Sequence, residues 1–368
     1  MLRRAIITRE QEPLKIINEP LPKVPVEGAI VKIEYAGICH SDLHFIENEN
    51  SNYCDEEGRG ISGITPGHEI SGTIVDIGIK ADSQFKVGDK VLVYPWAGCR
   101  QCINCLNGRS SLCENNPSGS KDVGQGKIIG GYSTHTILPN TSNYLIKKDS
   151  IPNDVAPMLP CSALTAYSAV KSLGESLKGN PDGSILLIGA GGLGQWAITF
   201  TKSIYPKSEI CVVDVNKIKL DIAKNKGASH TFLWSKDANF DCQVDKIFEK
   251  SLKRGFIGSI DFTGTSETAE ICLKCSKNGG TITLIGLNGG HLDISLADVI
   301  SRSITLKGVR TGSLETLREV VELVKENRIN DVETSFFSLD EINYALDALR
   351  RGEVRGRAII DLTKERYN

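Results

Sequence analysis

The second half of the chain alternates continuous apolar stretches with stretches of helical spacing, and this alternation restricts the fold more than any other feature. "SILLIG" is followed by the helix-like "LGQWAITFTKSI", and "EICVVD" is followed by "NKIKLDIAKNKGA". Further apolar stretches are "IGSIDFTG", "GTITLIGL" and "SITLKGV". Strands that are apolar on both faces and separated by helices indicate βαβ units in a parallel sheet covered on both sides. We therefore predict a doubly wound α/β domain.

The first part of the chain has a different pattern. Short stretches of alternating polarity, interrupted by glycine and proline, occur in "GAIVKIEYAG", "EISGTIVDIG", "DKVLVYPW" and "GYSTHTILP". They predict a compact, mostly antiparallel, barrel-like domain. The start "MLRRAIITRE" is expected to form a strand, because it lacks the apolar core and cleavage site of a secretory signal. Two helical stretches and a last strand, "RAIIDL", end the chain, and this strand could rejoin the first domain.

Composition narrows the classes of function. The chain has 368 residues, a formal net charge of −2 and 40% hydrophobic residues, which suits two domains and offers no basic surface to nucleic acid. No apolar run approaches the roughly 20 residues that span a bilayer. Eleven cysteines, an odd number in a large chain, favour a reducing cytoplasmic setting in which clustered thiols bind metal.

The segment "LLIGAGGLGQW" predicts a dinucleotide site. Gly189, Gly191 and Gly194 have G-x-G-x-x-G spacing directly after an apolar strand, and Asp214 ends the next strand. These glycines allow a tight turn, close approach of a pyrophosphate and packing of helix on strand. Asp214 would accept hydrogen bonds from ribose hydroxyls and repel a 2′-phosphate, so NAD is favoured over NADP. A purely structural glycine turn is the alternative.

A second motif is the cysteine-rich stretch "GCRQCINCLNGRSSLC". Cys99, Cys102, Cys105 and Cys113 have C-x2-C-x2-C-x7-C spacing, which is typical of a closed tetrahedral zinc site. Four thiolates around Zn²⁺ leave a charge of about −2 and no open position, so this zinc would stabilise a loop without touching substrate. An iron–sulfur cluster is the alternative, disfavoured because a nicotinamide cofactor needs no one-electron carrier.

A catalytic metal needs an open position, and scattered residues can supply one. "GICHSDLH" contains Cys39, "TPGHEISG" contains His68, and "LPCSAL" contains Cys161. Two thiolates and one imidazole would nearly neutralise Zn²⁺ and leave a place for an alcohol, whose pKa the metal would lower. Each residue alone is more typical of a packed core, and spacing alone does not establish that the three converge.

These motifs together resemble one family. "GHEISGTIVDIG" matches the G-H-E-x-x-G-x5-G signature of the zinc-containing medium-chain alcohol dehydrogenases, and the other motifs and "GRAIIDL" follow in the family's order. The resemblance implies a reversible enzyme that transfers hydride between an alcohol and NAD⁺, giving an aldehyde or ketone. It implies a GroES-like catalytic domain from residues 1–155 and 311–368, with a Rossmann domain, 156–310, inserted. The short segment after Cys113 resembles the tetrameric members, so a homotetramer is favoured over a dimer.

The resemblance also implies roles around the catalytic zinc, whose ligands would be the three scattered residues. Ser41 would hydrogen-bond the substrate oxygen, and His44 would act as the base that ends a proton relay. Asp42 would orient His68. Glu69 would lie beside the metal as a transient ligand.

A second set of residues is implied to contact the cofactor. His40 and Arg357 resemble diphosphate contacts, and Lys219 resembles the lysine that reaches the adenosine ribose. The remaining members of the set are the glycines of the G-x-G-x-x-G turn and the acidic residue that ends the next strand: Gly189, Gly191, Gly192, Gly194 and Asp214. Tyr94 and Trp96 are either walls of the substrate pocket or hydrophobic packing.

Two departures from the family pattern bear on the substrate. Ser41 stands where threonine is usual and keeps the hydroxyl. Residues 47–62 form a polar insertion that could reshape the substrate pocket, so the sequence does not identify the class of alcohol. Other enzymes of the superfamily fit less well. Polyol dehydrogenases typically lack a cysteine at the position of Cys161, cinnamyl-type reductases use NADP and lack an acid at Asp214, and quinone reductases lack the metal ligands. A non-enzymatic protein that binds zinc and NAD is the remaining alternative.

Overall fold

The computed structural model describes residues 1–47, 60–116, 121–251, 254–326 and 333–364. It divides into two compact units, the first from Met1–Leu164 and Gly312–Asn368 and the second from Thr165–Thr311. Most of the polar insertion expected at 47–62 lies outside the described residues. Among the described helices, none is both long and apolar enough to cross a bilayer.

The strands and helices are numbered in chain order. The strands are β1 Leu2–Ile6, β2 Lys15–Glu19, β3 Ala29–Gly37, β4 Glu69–Ile77, β5 Lys90–Val93, β6 His135–Leu138, β7 Leu145–Lys147, β8 Ile185–Ile188, β9 Ile210–Asp214, β10 His230–Leu233, β11 Phe256–Asp261, β12 Ser276–Leu284, β13 Thr305–Gly308, β14 Thr334–Phe337 and β15 Arg357–Asp361. The α-helices are α1 His40–Glu47, α2 Ile103–Leu106, α3 Thr141–Tyr144, α4 Leu164–Lys171, α5 Gly174–Lys178, α6 Gly192–Ile204, α7 Lys217–Asn225, α8 Phe240–Glu249, α9 Ser266–Cys275, α10 Leu296–Arg302, α11 Leu314–Glu326 and α12 Ile342–Arg350.

The first unit is built on a mainly antiparallel sheet. Its strands lie in the order β14, β15, β3, β4, β5 and β7, and β6 pairs with β3, while β1 and β2 form a separate antiparallel pair. Only β14 and β15 run parallel among the described strands of this unit. Because strand residues alternate between faces, Ala29, Val31 and Ile33 of β3 all point into one apolar core. The predicted antiparallel, barrel-like domain is confirmed.

The last strand of the chain joins this first sheet. Ile359 of β15 pairs with Gly37 at the end of β3, and Gly37 pairs on its other side with Glu69 of β4. Sequence pattern had left the partner of the last strand open. The register places the last strand beside the carboxyl end of β3.

A short irregular helical stretch ends the first segment of this unit. A 3₁₀-helix, Ala156–Met158, continues into a π-helical turn, Leu159–Ala163, and then into α4. Pro157 and Pro160 lack the N–H that a regular α-helix needs, which accounts for the irregular turns. Such π-helical turns occur often at functional sites.

The second unit contains a parallel sheet with the strand order β10, β9, β8, β11, β12 and β13. Every pairing between these strands is parallel. The chain reverses its direction of travel across the sheet between β8 and β11, and ligands of such sheets bind beyond the carboxyl ends of the strands at this point. The predicted doubly wound α/β domain is confirmed. Strand β10 and helix α8 were not predicted from the sequence. Strand β10 is only four residues long and half-exposed.

Candidate active site

The register of β3 and β4 brings two of the scattered residues together. Gly37 and Glu69 are paired across these antiparallel strands. Cys39 follows β3 by two residues and His68 immediately precedes β4, so both lie at the same edge of the sheet. The π-helical turn packs on β4 and β5 and brings Cys161 to the same edge.

The three side chains form a compact donor set. The thiol sulfurs of Cys39 and Cys161 and an imidazole nitrogen of His68 lie within 4.8 Å of one another. His68 Nε2 is 3.3 Å from Cys161 Sγ, and all three residues are buried. Zn–S bonds of about 2.3 Å and Zn–N bonds of about 2.0 Å place tetrahedral ligand atoms roughly 3.5–3.8 Å apart. The size and chemistry of the set therefore fit zinc.

Asp42 connects two members of this set. Its Oδ1 lies 2.9 Å from His68 Nδ1, and its Oδ2 accepts a hydrogen bond from the Cys39 N–H at 2.9 Å. Tyr132, which sequence analysis did not select, donates its hydroxyl to Asp42 Oδ2 at 2.7 Å. Burial alone would lower the pKa of His68, but the adjacent Asp42 carboxylate raises it well above its usual value. Asp42 thus keeps a proton on Nδ1 and leaves Nε2 facing Cys161.

Helix α1 carries three more of the predicted residues. Ser41 is half-buried, and its Oγ lies 3.0 Å from Cys39 Sγ. His44 follows three residues later, on the same side of the helix, and is also half-buried. His40, at the first position of the helix, is exposed. The structure therefore places Ser41 at the donor set and His44 one turn away from it.

Glu69 and Arg357 form a buried ion pair at the same edge of the sheet. Arg357 Nη2 donates to Glu69 Oε2 at 2.5 Å, and both side chains are almost fully buried. Burial raises the pKa of Glu69, although Arg357 opposes the shift. Glu69 Oε1 has no hydrogen-bond partner among the described residues. A Cβ at Gly37 would lie 2.0 Å from Glu69 Oε2, so only glycine leaves room for this carboxylate.

Trp96 and Tyr94 occupy different environments. The Trp96 ring lies 5.6 Å from the His68 ring, centroid to centroid. Tyr94 is 1% exposed, and its hydroxyl donates to the Gly312 carbonyl at 2.8 Å. Trp96 is therefore in contact with the donor set, whereas Tyr94 is part of the packing behind it.

The four clustered cysteines also converge. Their sulfurs lie within 4.8 Å of one another, with Cys99 Sγ 3.9 Å from Cys105 Sγ and Cys102 Sγ 4.0 Å from Cys113 Sγ. A disulfide would need about 2.05 Å, whereas tetrahedral zinc needs about 3.8 Å between sulfurs. The N–H groups of the next residues along the loop, led by Gln101, lower the pKa of Cys99 to about 6. Burial, in contrast, raises the pKa of Cys105 to about 12 and also raises the pKa of Cys113. The spacing of the four sulfurs, rather than the pKa values of the thiols, therefore fits a metal site.

The glycine turn of the second unit has the shape that the motif requires. Gly189 has φ +97° and Gly191 caps α6. A Cβ at Gly194 would lie 1.9 Å from the Gly189 carbonyl oxygen, whereas a Cβ at Gly191 would meet nothing within 4 Å. Gly194 is therefore needed for helix–strand packing, and Gly191 leaves open space beside the backbone. Gly192 is the first residue of α6.

Asp214 stands at the end of the neighbouring strand. Its Oδ2 accepts from the Ala190 N–H at 2.7 Å and its Oδ1 from the Asn216 N–H at 2.8 Å. Asn216 caps α7, in whose first turn Lys219 lies half-buried. The Asp214 carboxylate is therefore held against the glycine turn by backbone N–H groups, and each of its oxygens keeps a lone pair for a further hydrogen bond.

Comparison with known proteins identifies the family. Residues 26–150 match the Alcohol dehydrogenase GroES-like domain family, and residues 192–326 match the Zinc-binding dehydrogenase family. An NAD-dependent alcohol dehydrogenase of Sulfolobus acidocaldarius is 32% identical over 360 residues, which cover 96% of this chain and 97% of that protein. The chain belongs to the zinc-containing medium-chain alcohol dehydrogenase family. It is thus an enzyme of the alcohol dehydrogenase class.

Other members of the family are similar over their whole length. An alcohol dehydrogenase of Geobacillus stearothermophilus is 27% identical, and the match covers 99% of this chain and all of that protein. The crystal structure of an alcohol dehydrogenase from Aeropyrum pernix superposes with a TM-score of 0.84 at 27% identity, covering 98% of this chain and 99% of that one. The GroES-like and Rossmann-type folds are therefore those of the family.

Gly194→Ala should destabilise the second unit, whereas Gly191→Ala should leave it folded. The first substitution drives a Cβ into the Gly189 carbonyl, and the second adds a Cβ to open space. Overpacking of this kind costs about 1–3 kcal/mol of unfolding free energy. Urea unfolding of both variants measures the difference, and equal stabilities would contradict the packing role of Gly194.

Cys99→Ser should lower the melting temperature and remove one equivalent of zinc per chain, because a structural zinc adds directly to folding free energy. The control is Cys242→Ser, which changes an exposed thiol outside both clusters. Thermal unfolding and metal analysis provide the measurements. A stable Cys99→Ser protein that is merely inactive would contradict a structural role.

Proposed function

We propose that this chain is a zinc- and NAD-dependent alcohol dehydrogenase that reversibly transfers hydride between an alcohol and NAD⁺, giving an aldehyde or ketone. The observation that carries the proposal is the buried set of Cys39, His68 and Cys161, whose ligand atoms lie within 4.8 Å of one another. The NAD-dependent relative from Sulfolobus acidocaldarius, similar over 97% of its length, supports the choice of cofactor.

Two zinc ions per chain are proposed, one in this set and one in the four-cysteine loop. Zinc in the three-ligand set would act as a Lewis acid toward an alcohol oxygen. The loop would hold its ion with four thiolates and serve folding alone.

The residues around the three-ligand set are proposed to orient substrate and handle its proton. Ser41 Oγ, 3.0 Å from Cys39 Sγ, would hydrogen-bond the substrate oxygen. His44, three residues further along α1 and half-buried, would take up the proton as the base. Asp42 would hold the His68 ring in one tautomer through Nδ1. Glu69, with one buried oxygen unpartnered among the described residues, would serve as a transient ligand.

The second unit is proposed to bind NAD, with the first unit as the catalytic domain. The turn from Gly189 to Gly194 would hold the pyrophosphate at the N-terminus of α6, and Asp214 would accept from the ribose hydroxyls. Lys219 would reach the adenosine ribose, and His40 and Arg357 would contact the diphosphate. We also propose that the chain forms a homotetramer in the cytoplasm, a location favoured by its odd number of eleven cysteines.

The substrate class can be determined directly. A panel of primary, secondary and aromatic alcohols, followed by NADH absorbance, measures which class is oxidised fastest. Absence of NADH formation with every class, in a protein that contains two zinc ions, would contradict the proposed activity and favour a non-enzymatic binding protein.

Cys161→Ser should abolish turnover and reduce bound zinc from two ions to one per chain. The substitution removes a thiolate ligand but changes little volume in the π-helical turn, so the fold should be retained. Circular dichroism, metal analysis and NADH formation provide the measurements, with Cys242→Ser as the control. Full zinc content with full activity would exclude Cys161 as a ligand.

Asp214→Gly should relax the preference for NAD over NADP, because the carboxylate that repels a 2′-phosphate is removed. Since Asp214 also accepts from the Ala190 and Asn216 N–H groups, Asp214→Asn is the second variant, which retains an acceptor oxygen without the charge. The ratio of kcat/KM for the two cofactors is the measurement. An unchanged ratio in both variants would show that the charge does not set cofactor choice.

A further inference from the structure

We propose that Tyr132 is a positioning residue for the metal ligand His68, which it holds in two ways: through Asp42 and through the turn that precedes His68. This inference rests on the proposed function, because it requires zinc in the set that contains His68. The Tyr132 hydroxyl is hydrogen-bonded to Asp42, which in turn contacts His68.

The first contact runs through the tyrosine hydroxyl. Tyr132 Oη donates to Asp42 Oδ2 at 2.7 Å, and Asp42 Oδ1 lies 2.9 Å from His68 Nδ1. These three residues are at most 1% exposed, so water does not compete for their hydrogen bonds. The same Oδ2 accepts from the Cys39 N–H at 2.9 Å. Tyr132 therefore supplies one of the three donors that fix the carboxylate between two ligand residues.

The second contact runs through the backbone and the ring. The Tyr132 N–H donates to the Pro66 carbonyl at 3.0 Å, and the Gly131 N–H donates to the Gly67 carbonyl at 2.7 Å. Gly67 has φ +96°, and a Cβ there would lie 2.7 Å from Cδ1 of the Tyr132 ring. The ring is thus packed against the residue that immediately precedes His68.

These contacts have a consequence for the metal. A carboxylate held by three donors has less freedom to rotate than one held by two, and its rotation would turn the His68 ring and redirect Nε2. Partners of metal-bound histidines commonly change metal affinity by about 10–100-fold when removed. The loss of one outer donor should therefore affect how long the metal stays bound.

Tyr132→Phe tests the hydroxyl alone, because the ring that packs on Gly67 is retained. The matched control is Tyr144→Phe: Tyr144 is 3% exposed, and its hydroxyl donates to the Lys121 carbonyl at 3.0 Å. We expect similar unfolding midpoints for both variants. Only Tyr132→Phe should release one zinc to a chelator faster, by about 10-fold, the lower end of the range for such partners.

Two further measurements separate positioning from general stability. Co²⁺ in place of zinc should give an altered thiolate absorption band in Tyr132→Phe but not in Tyr144→Phe, since the band reports the ligand geometry. In the Asp42→Ala background, which has no side-chain acceptor for the tyrosine hydroxyl, Tyr132→Phe should add no further acceleration, because its effect passes through Asp42.

Each outcome decides the proposal. Zinc release at the wild-type rate with an unchanged cobalt spectrum would overturn it, and so would a Tyr132→Phe chain that fails to fold while Tyr144→Phe folds. The released zinc must be the ion that Cys161→Ser lacks. If the wild-type protein holds no such ion, the proposed function fails, and this result is distinct from a failure of the Tyr132 inference.

Discussion

Gly37, the last residue of β3, is paired with one strand on each side, and the candidate active site depends on this double pairing. Glu69 of β4 and Ile359 of β15 are its two partners in the sheet. Through these pairings, residues that are far apart in sequence arrive at one edge: Cys39 beyond β3, His68 before β4, and Arg357 at the start of β15. A shift of register by one residue would turn every side chain to the opposite face and disperse the set.

The charges at this edge are expensive to bury, and each of them lies against an oppositely charged or hydrogen-bonding group. Glu69 and Arg357 compensate each other, and Asp42 has three donors. Removing one partner of such a buried pair leaves an uncompensated charge, which costs about 3–5 kcal/mol. The absence of a side chain at Gly37 is part of this arrangement, because a Cβ would occupy the place of the Glu69 carboxylate. The residues next to the donor set are thus connected to one another by buried polar contacts.

The parts of the molecule that local pattern determines could be predicted from sequence. The glycine turn, the parallel strands and the four-cysteine loop each lie within a short segment, so spacing carries the information. Tyr132 could not be identified, because a single tyrosine outside any motif is typical of core packing and its partner Asp42 is 90 residues away. Strand β10 was missed since four half-exposed residues give too weak an alternation. The pairing of Arg357 with Glu69 depends on β15 joining β3, which only the fold determines.

The two cysteine sets differ in how folding and metal binding are coupled. In the loop from Cys99 to Cys113 all four donors are local, and backbone N–H groups already favour a thiolate at Cys99, so the metal can organise the segment by itself. The donors Cys39, His68 and Cys161 meet only after the first sheet has formed and the π-helical turn has packed on it. The geometry of this three-residue set is therefore determined by the sheet and the π-helical turn, whereas the geometry of the four-cysteine set is determined within one loop.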